Sequence, residues 1–245
     1  MRTAIGTILL CLLVSFARGQ TIPAGTLLPV MLDDTVESDK SKPGEEVSAK
    51  LYQQVVLPEG LKIKRLSKVV GHVVAVTPPS GSTPASITVQ FDQVEIGKKS
   101  VTVSTGLRAL ASMRLVAQVR NPVNMNAGPG TTSWDLNVSQ IGGQIAYNGA
   151  RIVKAPNGQV VGRVVEPGAI VGVPMANPGA GCAGPAANVG EQAFWVFSTD
   201  ACGLYDEEEL TYTSGIGGPN SGKIVLKSAK HFDVRSGSAW LLQVN

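Results

Sequence analysis

The chain has 245 residues, 16% of them charged, a net charge of +3 and an aromatic content of 5%. A balance this close to neutral lacks the basic footprint of a nucleic-acid binder, and so few aromatics, with no paired girdles, argue against a lipid-facing outer-membrane barrel. The 28 Gly and 15 Pro are scattered among Val and Ile, which fits a protein of many strands and turns and not a disordered one.

Met1-Arg2, the apolar run Ile5 to Phe16 and the small-residue exit Ala17-Arg18-Gly19 have the form of a secretory signal peptide over residues 1–19. The run is about a dozen residues, short of the roughly 20 that span a bilayer. Cys11 follows Leu10, where a lipid-attachment cysteine needs a small residue before it, so it is expected to leave with the signal. No later stretch is apolar for long enough to cross a membrane. The expected product is exported to the periplasm or outer cell envelope, with no transmembrane segment after cleavage.

The exported β domain, residues 20–245, opens with the alternating stretch Thr26 to Leu32. Ser41-Lys42-Pro43-Gly44 turns, and Val47 to Leu51 follows. Lys68 to Val76 is a valine-rich strand. Ile87 to Val94 returns, Gly97-Lys98-Lys99 turns, and Val101 to Val103 leaves. Strands at this spacing predict a barrel-like or sandwich fold, mostly β. One stretch has helical spacing, Leu107, Leu110, Met113 and Ala117, stopped at Asn121-Pro122. It predicts a short helix at 107–120 joining possible halves 20–106 and 127–245.

A short repeat precedes three of the strands: Ile22-Pro23-Ala24-Gly25-Thr26, Ile63-Lys64-Arg65-Leu66-Ser67 and Val234-Arg235-Ser236-Gly237-Ser238. Glycine suits the positive φ of a tight turn, and the hydroxyl is placed to bond nearby backbone. A second echo links Val69-Val70-Gly71-His72-Val73-Val74 with Val160-Val161-Gly162-Arg163-Val164-Val165.

Beyond the signal two cysteines remain, Cys182 and Cys202, and an even pair in an oxidising compartment predicts one disulfide. Closing a loop of about 20 residues contributes roughly 3 kcal/mol in the chain-entropy model. A catalytic thiol assisted by His231 is the competing reading. Gly217 to Lys223 has phosphate-loop spacing, but Ile224 stands where a magnesium-binding hydroxyl belongs, and a strand pattern follows in place of a helix. His72 and His231 have no third ligand at zinc spacing, and no serine has a nucleophile-elbow context. Asp206-Glu207-Glu208-Glu209 offers hard oxygens for calcium, without the spacing of a calcium loop. Lys62, Lys64 and Lys68 alternate onto one strand face, a candidate surface for anionic partners or a charged edge that resists aggregation. Phe194-Trp195-Val196-Phe197, read as a strand, puts Phe194 and Val196 on one side and Trp195 and Phe197 on the other. Trp195 and Trp240 are the candidate contact aromatics.

Several segments together resemble a known barrel: Ile22 to Thr26 with Val30 and Leu32, Ser38-Asp39, Gly44, Val47, Ala49, Ser67 to Val73, and Phe91-Asp92. It is the periplasmic β-barrel domain of the channel protein of type IV secretion and conjugal transfer systems, and the likeness covers about residues 22 to 103. The whole chain is also similar to a set of exported proteins, of uncharacterised function, from soil bacteria such as the Acidobacteria. That likeness includes Trp134, Gln140 to Gly143 and Phe194 to Gly203. The secretion family's turn before the glycine-containing strand carries Pro and Gly, where this chain has Lys64 and Leu66. Its transmembrane helix and stalk have no counterpart here. The resemblance implies a barrel fold and an envelope address without a secretion channel. The expected function is a non-catalytic structural or interaction module of the bacterial envelope, docking proteins or self-associating, with no cofactor. The alternative is an envelope binding protein for a glycan or small ligand.

Overall fold

The structure is a computed structural model. It describes residues 21–120, 141–142, 194–198 and 201–245, with the strand segments 137–139, 146–148, 152–154 and 160–163. Ten strands form one sheet: β1 (Leu27–Leu32), β2 (Glu46–Leu51), β3 (Lys68–Thr77), β4 (Ala85–Ile96), β5 (Lys99–Thr102), β6 (Thr105–Ala111), β7 (Gly203–Tyr205), β8 (Thr211–Thr213), β9 (Ile224–Ser228) and β10 (Ala239–Val244). Their order is β7-β6-β10-β1-β2-β3-β4-β9-β8, with β5 paired to β4. The fold is mostly β, as predicted, and the sheet curls into a nearly closed barrel. Its two ends approach where the Leu107 amide donates to the Ser214 carbonyl (2.6 Å) and the Asn245 side-chain amide, just past β10, to the Gly215 carbonyl (3.0 Å). Strands β1 to β4 lie side by side in this sheet, flanked on both sides by strands that come later in the chain.

Alternation along the strands fills the barrel. Leu28, Val30 and Leu32 of β1, Phe91 of β4, Leu107 and Leu110 of β6, and Trp240 and Leu242 of β10 all point into one core. Trp240 is fully buried and meets Phe91 edge-on at 5.7 Å between ring centroids.

The predicted helix begins too early. Residues 105–111 are strand β6, and helix α1 covers Met113–Arg120. A bulge explains the misreading. Opposite β6, Leu241 pairs with Ala109 but Leu242 pairs with Leu107, so Arg108 is the extra residue. The slip lets Leu107 and Leu110 face the same core three residues apart, which imitates helical spacing on a strand.

The repeated turn is real, and it has one member more than the sequence showed. Pro23–Thr26, Lys42–Glu45, Lys64–Ser67 and Arg235–Ser238 open β1, β2, β3 and β10. In each, the fourth amide donates to the first carbonyl, at 3.0–3.2 Å. The third residue has a positive φ: Gly25 82°, Gly44 88°, Leu66 69° and Gly237 90°. These are the features of a type II turn. The third amide then donates to a carbonyl of the neighbouring strand, Val244, Val73, Leu51 and Leu32 respectively. The amide of that same neighbour returns a bond to the fourth carbonyl. The predicted role of the hydroxyl does not hold, because Thr26 Oγ1 and Ser238 Oγ are buried without a hydrogen-bond partner. The common element is the left-handed third residue.

Leu66 occupies that position with a side chain that disfavours it, and it is 54% exposed, so little burial offsets the strain. Left-handed geometry costs a non-glycine residue about 1–2 kcal/mol, partly matched by the extra chain entropy glycine loses on folding. Leu66→Gly should therefore stabilise the protein by a few tenths to about 1 kcal/mol in chemical denaturation. Gly237→Ala should destabilise it, since an added Cβ would sit 2.9 Å from Met113 Cγ at a φ of 90°.

Candidate functional site

The wall formed by β6, β10 and β1 is apolar on its outer side as well. Leu27, Ala109, Ala111, Ala239 and Leu241 face outward into a second core, roofed by Leu115, Val116 and Val119 of α1 and by Phe194, Phe197 and Tyr205. Helix α1 thus lies against the outside of the barrel. Ser112 caps it, with Oγ accepting from the Leu115 amide at 3.1 Å. Met113, Arg114, Ala117 and Gln118 remain exposed along its outer ridge.

At the N-terminal end of α1 is an open cleft of about 370 Å³, lined by Ser112, Met113, Arg114, Asp206, Glu207, Glu208, Asp233, Arg235 and Ser238. Asp206 follows β7 at a φ of 61° and accepts from the Ser112 hydroxyl and the Arg114 guanidinium. Asp233 pairs with Arg235 at 2.7 Å. Glu207 is half-buried, and its carboxyl is pushed up to about 7 by burial first, then by the charges of Asp233 and Glu208, against a smaller opposing effect of Arg235.

At the C-terminal end of α1 is an aromatic and guanidinium cluster. The Tyr52 and Trp195 rings lie 4.6 Å apart, and the Arg120 guanidinium stands 5.4 Å from the Tyr52 centroid and 5.9 Å from that of Trp195. Arg65 reaches the Tyr52 ring from another side at 5.4 Å. Trp195 has a φ of 54°, and its amide donates to Gln53 Oε1.

No known family, curated protein or solved structure matches the chain. The geometry alone therefore sorts the sequence-predicted site residues. Trp240 is corrected outright: it is a barrel-core residue and meets no solvent. Phe194 to Phe197 is a tight turn in place of the expected strand, closed by paired bonds between Phe194 and Phe197 at 2.9 and 3.1 Å. Phe194, Val196 and Phe197 are buried together, and only Trp195 reaches the surface cluster. The three lysines do not share a strand. Lys62 belongs to a two-residue ladder with Val56, Lys64 begins the turn, and Lys68 opens β3 paired with Glu46 at 2.8 Å.

The phosphate-loop look-alike is another strand-opening turn. The Lys223 amide donates to the Asn220 carbonyl at 3.0 Å, Gly222 has a φ of 84°, and β9 follows. His72 Nδ1 lies 3.0 Å from Asp92 Oδ2, and His231 is exposed. Among the described residues no three His, Cys, Asp or Glu side chains converge on a metal position. Cys182 lies outside the described residues, as do residues 1–19. Sequence reasoning missed Tyr52 and Arg120 as partners of Trp195, Arg65 as a partner of Tyr52, and Asp233 as the charge that acts on Glu207. No spacing rule links positions so far apart in the chain.

The raised Glu207 carboxyl sets a pH test. The folded state holds its proton more tightly than the unfolded chain, so this residue lowers stability progressively between about pH 4.5 and 7, and evenly above that. Glu207→Gln should melt like the parent near pH 4 and higher than it at pH 8. After discounting for partial exposure, the difference should be about 1–2 kcal/mol.

Proposed function

We propose that the protein is a non-catalytic interaction module of the bacterial envelope that docks other proteins, or copies of itself, through the face carrying α1. One observation carries this reading. The barrel interior is filled by side chains, while the groups able to recognise a partner stand on one outer face, at the two ends of an exposed helical ridge. Aromatic and arginine side chains together are the residues that dominate binding energy at protein interfaces. The strained, exposed Leu66 turn lies beside Arg65 in the same cluster, and exposed strain of this kind marks surfaces kept for something other than stability.

The rest of the reading accords with this role. A leader over residues 1–19 would export the chain to the periplasm or outer envelope, and a Cys182–Cys202 bond would staple the segment that roofs the second core. A kinship with the periplasmic barrel of the secretion channel would fit the nearly closed sheet. Glycan binding is the weaker reading, since Trp195 is engaged with Tyr52 and Arg120 and Trp240 is internal.

The test is the native mass of the protein extracted from cell envelopes in mild detergent, by light scattering after size exclusion. A discrete assembly larger than one chain is expected. Trp195→Ala combined with Met113→Asp should weaken that assembly roughly tenfold or more while leaving the melting transition cooperative. A monomer of mature mass would overturn the reading.

A further inference from the structure

We propose that the turn Lys64–Ser67 attaches the protein to the surface of an anionic lipid bilayer, with the Leu66 side chain entering the lipid and Lys62, Lys64 and Arg65 meeting the headgroup phosphates. This goes beyond the docking reading. Vesicle binding is read whatever the native mass, so the two fail separately.

The turn supplies the first observation. Four strand-opening turns share one geometry, and three of them place glycine at the left-handed third position, Gly25, Gly44 and Gly237. The fourth has Leu66 there, at a φ of 69° and 54% exposed. The turn does not need that side chain, and the barrel does not bury it. A leucine held against backbone strain on the surface gains free energy when something apolar outside the chain covers it.

Charge says what covers it. Among the described residues two large apolar side chains are exposed, Leu66 and Met113. Met113 stands among Asp206, Glu207 and Glu208, which a negatively charged surface would repel. Leu66 stands among cations. Lys62 and Lys64 flank Ile63, which is fully buried, so alternation turns both lysines outward. Both are exposed, and among the described residues neither has an ion pair. Arg65 is exposed as well, its guanidinium 5.4 Å from the Tyr52 ring centroid. From Val47 to Ser67 the sequence sets Lys50, Lys62, Lys64 and Arg65 against Glu59 alone, and Lys50 is taken by Asp33.

Chemistry then separates a bilayer from other anions. An acidic glycan offers nothing apolar to Leu66. A protein partner of ordinary size buries about 800 Å² on each side around a matched apolar centre, whereas the exposed apolar group here is a single side chain on a turn. A lipid surface needs no matched shape, because attachment follows the apolar area inserted plus the attraction of cations to anionic headgroups. Beside the turn stand Tyr52 and Trp195, partly buried rings of the types that settle at the boundary between lipid and water.

The experiment is vesicle flotation of the protein purified from cell envelopes and freed of detergent. The vesicles are phosphatidylcholine alone, or phosphatidylcholine with about 30% phosphatidylglycerol to supply the negative surface. Binding to the anionic vesicles is expected, with little to the neutral ones, and it should weaken severalfold between about 50 and about 300 mM salt. Leu66→Gly should partition roughly tenfold more weakly while melting no lower than the parent, which separates a membrane role from a folding role. Lys62→Glu with Lys64→Glu should weaken binding roughly tenfold or more. Lys98→Glu with Lys99→Glu reverses exposed lysines on another turn, away from Leu66, and should bind like the parent. A polarity-sensitive fluorophore on Leu66→Cys should shift to the blue with anionic vesicles, and one on Lys98→Cys should not. No binding to anionic vesicles, parent-like binding of Leu66→Gly, or equal losses in the two lysine pairs would overturn the proposal. Tighter binding to soluble polyglutamate than to the vesicles would make the partner an acidic protein and overturn it too.

Discussion

Everything on the outside of this barrel follows from a wall that is apolar on both faces. All seven residues of β6, all six of β10 and five of the six in β1 are buried. The barrel interior accounts for one face only. Each large side chain left uncovered on the other would forfeit about 1.5–3 kcal/mol, so the chain must supply a roof. Helix α1 is part of that roof and owes its existence to it, since eight residues are too few to hold a helix alone in water. Leu115, Val116 and Val119 seat it on the wall, and Ser112 ends it on the Tyr205 carbonyl and the Asp206 carboxylate.

Register in such a sheet has little tolerance. A slip of one residue would exchange the two faces of every strand, which in β10 would exchange Trp240 and Leu242 for Ala239 and Leu241. The strand-opening turns prevent it by clamping each new strand to a fixed residue of its neighbour. On β1 and β10 the clamp is reciprocal: the turn before β1 grips Val244 at the end of β10, and the turn before β10 grips Leu32 at the end of β1. Because the grip uses backbone groups, the sequence need conserve only the conformation. That is why Pro43-Gly44 and Arg65-Leu66 serve in the same geometry.

Local chemistry was legible in the sequence. Strands from Leu27 to Thr102 lie within a residue or two of their alternating patterns, and the turns declare themselves by glycine and proline. What was hidden is whatever depends on a partner distant in the chain. The β6 bulge is invisible until Leu241 and Leu242 stand opposite it, and without them Leu107 and Leu110 look like one side of a helix. Trp240 reads as surface only while its neighbour Phe91, nearly 150 residues earlier, is unknown. Phe194 to Phe197 reads as a strand because nothing local announces a tryptophan at positive φ.

The acidic run shows how position divides identical chemistry. As a string, Asp206 to Glu209 offered only a cluster of carboxylates. In the fold, β7 runs parallel to β6 and ends against the helix cap, so the chain must leave outward, and the left-handed Asp206 makes that turn. Asp206 is thereby spent on structure, bonded to Ser112 and Arg114. Glu209 faces solvent with Lys230 at 3.2 Å. Glu207 is drawn back toward Asp233, where burial and like charge raise its proton affinity. Asp206 anchors the helix, Glu208 and Glu209 are exposed, and Glu207 carries an electrostatic cost that the fold itself does not relieve.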